Sequence, residues 1–236
     1  MIKKQRIGII SYCDKVRTYA NVNHQYYASK HGYTYIYDIA PTTHGVFKNK
    51  VEKILKYLDL FDWVFWIDDD AFFMQYNKPL SEFIGRHSRH DLIFCKSPLN
   101  EGKWTYLSSG NFFIKNNKKT KEFLRSILDT DLEVAAKSWD EDKYGLYTRG
   151  DQDIMVHLLH NDSRFNGNKF HTTLEYDQFN SRPFHFKNKA DDQFLVHFTG
   201  EEKNRQALDF AKNFQLSPAL IPVSDFEGRQ GIYPLS

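Results

Sequence analysis

The sequence predicts an α/β fold in which helices cover a largely parallel sheet. Short runs rich in Val, Ile, Phe, Tyr and Trp alternate with segments of helical periodicity through the first half of the chain. The chain is also 236 residues long, enough to bury a sizeable core within one α/β unit.

The elements follow in order. Residues 6–11, RIGIIS, read as a buried strand, and residues 16–31 as a helix stopped by Gly32. YTYIYDI, residues 33–39, alternates and is rich in β-formers, so it is a strand. Residues 48–60 place Val51, Ile54, Leu55 and Leu58 at helical spacing. WVFWI at 63–67 is a short, wholly apolar strand, and DLIFCK at 91–96 and NFFIKN at 111–116 are further strands. Helices are expected over 118–128 and 151–160, and a late strand over 194–198, FLVHF. The stretches 129–150 and 161–192 are polar and irregular, long enough to serve as lids or binding loops. Beyond residue 200, LSPALIPV and GRQGIYPLS predict an extended, partly ordered tail. There is no internal repeat.

Composition removes several classes. A net charge of +2 gives no footprint for nucleic acid. Two cysteines, Cys13 and Cys95, make neither a disulfide framework nor a zinc quartet, and read as reduced core thiols of a cytoplasmic protein. The apolar run Ile7–Ile10 is far too short for a signal peptide or a membrane span. Membrane contact would be peripheral at most. The 20 Phe, 14 Tyr and 4 Trp fill a core and also suit sites that stack on sugar or base rings.

One stretch stands out. VFWIDDDAFF, residues 64–73, ends an apolar strand in Asp68, Asp69 and Asp70. Strand ends are where open α/β sheets bind ligands. In extended chain Asp68 and Asp70 share a side and Asp69 faces the other. Two neighbouring carboxylates need a cation between them. Mg²⁺ or Mn²⁺ suits hard oxygen ligands and completes its shell with water and substrate phosphates. A solvated turn is the bland alternative, but the flanking residues are apolar rather than loop-like. His197, within FLVHFTG, is either a hydrogen-bonded core histidine or a further ligand to the same metal. In RGDQDIMVHLL, Asp151 is either an N-cap or, with Gln152, a carboxylate and amide aimed at a sugar.

FDWVFWIDDDAFF, LSSGNFFIKN, DQDIMVHLL and VHFTG occur in one order. With YYASKHGYTYIY and FKNKVEKILKYL they resemble glycosyltransferase family 34, over roughly residues 6 to 200. That family holds yeast-type α-galactosyl- and α-mannosyltransferases and plant xyloglucan α-xylosyltransferases.

The resemblance implies a single GT-A type, Rossmann-like domain with a mixed central sheet over residues 1–236. Its nucleotide-sugar-binding half would cover about 1–115, its acceptor-binding half about 116–200, and a C-terminal extension 201–236. It implies transfer, with retention, of a hexose or pentose from a UDP-sugar to a glycan acceptor, galactose being the expected sugar. Asp68, Asp70 and His197 would hold Mn²⁺ or Mg²⁺. Asp69 would face the donor sugar or its ribose, and Asp151 and Gln152 would sit by the anomeric carbon. Ser11, Tyr12, Cys13, Lys50, Ser109, Gly110, Gly200 and Lys203 would contact the nucleotide sugar.

The chain departs from the family at Ser108-Ser109-Gly110, where Asn-Thr-Gly is usual, and at Lys203, displaced by Glu201 and Glu202. It lacks the membrane anchor and stem of eukaryotic members, which suggests a bacterial or viral enzyme acting on a lipid-linked or lipopolysaccharide-type glycan. Front-face attack is expected, with Asp151 the alternative nucleophile. Trp104, Tyr106, Trp139, Tyr144 and Tyr147 would stack on the acceptor. Rival readings are a nucleotidyltransferase, a glycan-binding protein and a metal-dependent hydrolase. SYCDKVRTY after the first strand lacks the glycines that a triphosphate-binding loop needs.

Overall fold

The computed structural model describes residues 5–43, 45 and 48–227. Its strands are β1 (Ile7–Cys13), β2 (Thr34–Ile39), β3 (Trp63–Ile67), β4 (Ala71–Phe73), β5 (Leu92–Asn100), β6 (Lys103–Lys115), β7 (His171–Leu174) and β8 (Leu195–His197). The helices are α1 (Ala20–His31), α2 (Lys48–Tyr57), α3 (Leu80–Arg86), α4 (Lys118–Asp129), α5 (Leu132–Lys137), α6 (Glu141–Tyr144), α7 (Asp151–Asn161), α8 (Lys203–Asn213) and α9 (Val223–Glu227).

The main sheet runs β2-β1-β3-β6-β5-β7. β1 pairs parallel with β2 and β3, and β5 with β7, while β6 is antiparallel to both neighbours. The sheet is therefore mixed: β2-β1-β3 and β5-β7 are parallel, and β6 joins them antiparallel.

Side-chain alternation explains why WVFWI is apolar throughout. Trp63, Phe65 and Ile67 pack on one face with α1 and α3 residues such as Tyr27 and Phe83. Val64 and Trp66 pack on the other with α2, α4 and α7 residues such as Ile54, Phe123 and Met155. A strand covered by helices on both faces has no polar side to offer. Gly8 on β1 belongs to the second face, where a Cβ would lie 2.5 Å from the Phe61 ring. Phe61 is thus seated against bare backbone.

Several expectations change. The first helix starts at Ala20, not at residue 16, after a bend at 14–19. DLIFCK and NFFIKN are the inner parts of one long hairpin, β5 and β6, whose outer parts reach Asn100 and Lys103. AFF after the acids is β4, and HTTL at 171–174 is β7, an edge strand of half-buried residues. Residues 129–150 contain α5 and α6. The expected extended tail begins instead with α8. Ala207, Phe210 and Ala211, at helical spacing, bury it against Phe72, Val196 and Phe198 of the β4–β8 pair. GRQGIYPLS, residues 228–236, lies outside the described residues.

Candidate active site

The three acids follow β3 directly. Asp68 N donates to Gly110 O at 2.9 Å, extending the β3–β6 ladder by one step. Ala71 N then donates to Asp68 O at 3.2 Å, closing a tight turn. The chain re-enters as β4, which pairs antiparallel with β8, Ala71 opposite His197. Phe198 N donates to Asp70 O at 3.0 Å and His197 N to Ser181 O at 2.8 Å. This small second sheet carries His197 to the end of β3.

Among the described residues, Asp68, Asp70 and His197 form the group whose ligand atoms all lie within 4.8 Å of one another. Asp70 Oδ1 is 3.1 Å from His197 Nε2 and buried with no hydrogen-bond partner. Two carboxylates and an imidazole suit a divalent ion such as Mn²⁺, and an orphaned buried carboxylate oxygen is what such an ion would satisfy. Asp70 Oδ2 is 2.9 Å from Lys203 Nζ. Burial opposes ionisation of Asp70, but His197 and Lys203 hold its carboxyl well below the usual range. Gly110 floors the cluster: a Cβ there would fall 2.4 Å from His197 Cε1 and 3.2 Å from Asp68 Oδ2.

A second polar group adjoins the first. Lys50 Nζ donates to Ser109 O at 2.8 Å and Ser109 Oγ at 3.3 Å. It also lies 3.3 Å from Asp68 Oδ1 and 3.5 Å from Asp151 Oδ2. Trp66 Nε1 donates to Asp68 Oδ1 at 2.7 Å. Ser109 Oγ donates to Asp151 Oδ1 at 3.2 Å, and Ser109 N to Gln152 Oε1 at 3.3 Å. Burial raises the Asp151 carboxyl, offset in part by Lys50. Burial lowers the Lys50 ammonium, and Asp151 and Asp68 more than restore it.

The N-cap reading of Asp151 does not hold. Asp153 caps α7 instead, accepting from Gly150 N at 3.0 Å and Thr148 N at 3.2 Å. Asp151 is thereby left facing the cleft. Asp69 is not among the residues that line the cleft; burial first, then Asp70, pushes its carboxyl up to about 6.

These groups line a cleft of about 300 Å³ that includes Asp68, Asp70, Ser109, Gly110, Gln152 and Gly200. Ser11, Tyr12 and Cys13 end β1 beyond that lining. Their side-chain atoms meet Tyr35 OH at 2.9 Å, Ala40 O at 3.0 Å and Tyr37 OH at 2.9 Å. The loop aromatics pack on one another rather than into the cleft. Tyr144 is buried between Trp139 and His160, Tyr106 lies against His160 and His171, and Tyr147 donates to Leu132 O at 3.0 Å.

Among the residues missed from the sequence are Arg182, which lines the cleft, and its buried neighbour Asn180. Asn180 and Arg182 sit in the irregular 161–192 stretch, where no periodicity marks them. Arg182 lines the cleft and has no carboxylate within ion-pair distance among the described residues. Burial lowers its guanidinium to about 10, against the pull of Asp70.

No protein-family model matches the sequence, and no curated protein does. Solved structures do match. A glycosyltransferase involved in the glycosylation of the major capsid of PBCV-1 superposes with TM-score 0.63 at 15% identity, over 87% of this chain and 98% of that one. The fold is of the GT-A type. The glycosyltransferase GlyE of Streptococcus pneumoniae TIGR4 superposes with TM-score 0.56 at 14% identity, over 96% of this chain. This chain spans 64% of GlyE. Both neighbours are glycosyltransferases, and neither singles out family 34 within the GT-A fold.

Proposed function

We propose that the protein is a metal-dependent, retaining glycosyltransferase of the family 34 kind. It moves a hexose or pentose, galactose first among them, from a UDP-sugar to a glycan acceptor. The observation that carries this is the convergence of Asp68, Asp70 and His197 at the end of β3 in a GT-A fold.

Asp68, Asp70 and His197 would hold Mn²⁺ or Mg²⁺, which as a Lewis acid compensates charge on the leaving diphosphate. Lys203, beside Asp70, supplies fixed positive potential at the same edge. Asp151 and Gln152 at the start of α7 face the sugar-binding side, where a carboxylate and an amide stabilise an oxocarbenium-like carbon. Asp151 Oδ1 accepts from Ser109 Oγ, while Oδ2 lies 3.5 Å from the Lys50 ammonium with no hydrogen bond. Front-face attack is our reading, with Asp151 the alternative nucleophile. Ser11, Tyr12 and Cys13 at the end of β1 take the nucleoside, with residues 1–115 forming the donor half and 116–200 most of the acceptor half. Among the described residues no helix is long and apolar enough to cross a membrane. We place the enzyme in the cytoplasm, acting on a lipid-linked or surface-polysaccharide glycan.

The test is thermal melting with UDP, GDP, CMP and their sugars, each with Mn²⁺ or EDTA. Native-state ligands raise the midpoint by mass action. A Mn²⁺-requiring shift with UDP or a UDP-sugar supports the reading. No shift with any nucleotide refutes it.

A further inference from the structure

His197 has two ring nitrogens, and only the one that keeps its lone pair can bind a metal. Nε2 faces Asp70 Oδ1 at 3.1 Å. Nδ1 faces Asn180 Oδ1 at 3.0 Å. The tautomer therefore depends on which way the Asn180 amide is turned.

Its surroundings decide that. Asn180 is fully buried. Its Nδ2 donates to Lys96 O at 2.9 Å, and a carbonyl can only accept. Arg182 Nη1 donates to Asn180 Oδ1 at 2.9 Å and to Asn180 O at 3.2 Å, and a guanidinium can only donate. Both contacts turn the amide oxygen toward His197, so Nδ1 carries the hydrogen. Asn111 Nδ2 is farther off, 3.4 Å from His197 Nδ1 and 3.4 Å from Asn180 Oδ1. It can give its hydrogen to the Asn180 oxygen as well. With Nδ1 protonated, Nε2 of the neutral ring presents a lone pair to a carboxylate oxygen. Two acceptors at that separation require a cation between them: a metal ion when one is bound, a proton on Nε2 when none is.

We propose that Asn180, held by Arg182 and Lys96, is the positioning residue that fixes His197 as the Nδ1–H tautomer and so makes Nε2 the metal-binding atom. The inference rests on the metal reading given above. It assigns a function to the otherwise irregular segment 180–182, which lines the cleft through Arg182.

The experiment reads the ring in metal-free protein at mildly alkaline pH. Long-range ¹H–¹⁵N spectra distinguish the two histidine tautomers, and the His197 signals are assigned by their loss in His197→Gln. Wild type should carry hydrogen on Nδ1, whether or not Nε2 is also protonated against Asp70. In Asn180→Leu the Asn111 amide becomes the neighbour of Nδ1, so the ring should switch to Nε2–H. Mn²⁺ affinity, read by the signal of free Mn²⁺ in electron paramagnetic resonance, should fall about 10–100-fold. Asn180→Asp keeps an acceptor at Nδ1 but sets an oxygen against the Lys96 carbonyl. It should lose stability while retaining the tautomer and Mn²⁺ affinity. A residue that served packing alone would make the two variants fail together and leave the tautomer unchanged.

A wild-type ring with hydrogen on Nε2 alone, or an Nδ1–H ring with unchanged Mn²⁺ affinity in Asn180→Leu, overturns the proposal. If Asn180→Leu fails to fold, the wild-type and Asn180→Asp spectra still decide. The spectra need no nucleotide, so they stand apart from the outcome of the melting panel.

Discussion

Gly110→Ala adds a single methyl group where the site has no room for one. Its Cβ would lie 2.4 Å from His197 Cε1 and 3.2 Å from Asp68 Oδ2. Carbon atoms in contact sit about 3.5–4.0 Å apart, so the ring must retreat by more than 1 Å. It cannot swing freely, because Asn180 holds Nδ1 and His197 is only 5% exposed. Overpacking of this kind costs about 1–3 kcal/mol. For a chain of this length each kcal/mol lowers Tm by about 2–4 °C. The larger effect should fall on the ligand set, since a displacement of about 1 Å at a positioned group costs about 100-fold. The assay is Mn²⁺ affinity beside urea unfolding, with far-ultraviolet circular dichroism as a control for the fold. Gly110→Ala should keep its secondary structure, lose modest stability and lose most Mn²⁺-dependent binding. A variant with wild-type Mn²⁺ affinity would refute the geometry on which the metal reading rests.

Other outcomes follow from the same contacts. Asp68→Ala and Asp70→Ala should each abolish the Mn²⁺-dependent nucleotide shift while leaving a folded protein; a retained shift removes that residue from the ligand set. Lys50→Met strips the cation from two carboxylates, one of them 3% exposed, and breaking a buried pair costs about 3–5 kcal/mol. The deficit in urea unfolding should shrink as the pH is lowered, because burial raises the Asp151 carboxyl and its protonation removes the stranded charge. His24 is buried, with Nε2 donating to Ala71 O at 2.7 Å, and burial lowers its pKa from 6.5 to about 4. The unfolded chain binds the proton more readily, so this contribution is full above pH 6.5 and is lost as pH falls toward 4. The loss is about 3 kcal/mol, and His24→Gln should flatten that limb of the stability–pH curve.

What the sequence makes legible tracks burial. β3 is evident because both its faces are covered, and α2 and α4 because each has one apolar stripe. β7 escapes notice because His171, Thr172, Thr173 and Leu174 are each half-buried at a sheet edge. β4 hides because Ala71–Phe73 read as a continuation of the strand before the acids, not as the start of another sheet. α8 was obscured by the proline-bearing stretch that follows it, although Ala207, Phe210 and Ala211 already carried the period. The site divides the same way. The three acids announce themselves by interrupting an apolar run. Asn180 and Arg182 gain meaning only from atoms that tertiary structure brings to them. No spacing along the chain encodes an amide turned by a carbonyl at Lys96 and a guanidinium at Arg182.

The β4–β8 pair also bears on how the molecule is assembled in time. Asp70 and Lys203 meet across 133 residues of chain. Closing so long a loop is entropically costly and yields nothing until both ends dock, and contacts of this kind tend to form late. The cleft therefore cannot exist in a nascent chain that has not yet delivered β8 and α8. An ion lodged between Asp68, Asp70 and His197 would act as a clasp on that last closure. Its removal should speed the opening of the C-terminal segment more than it disturbs the sheet behind it.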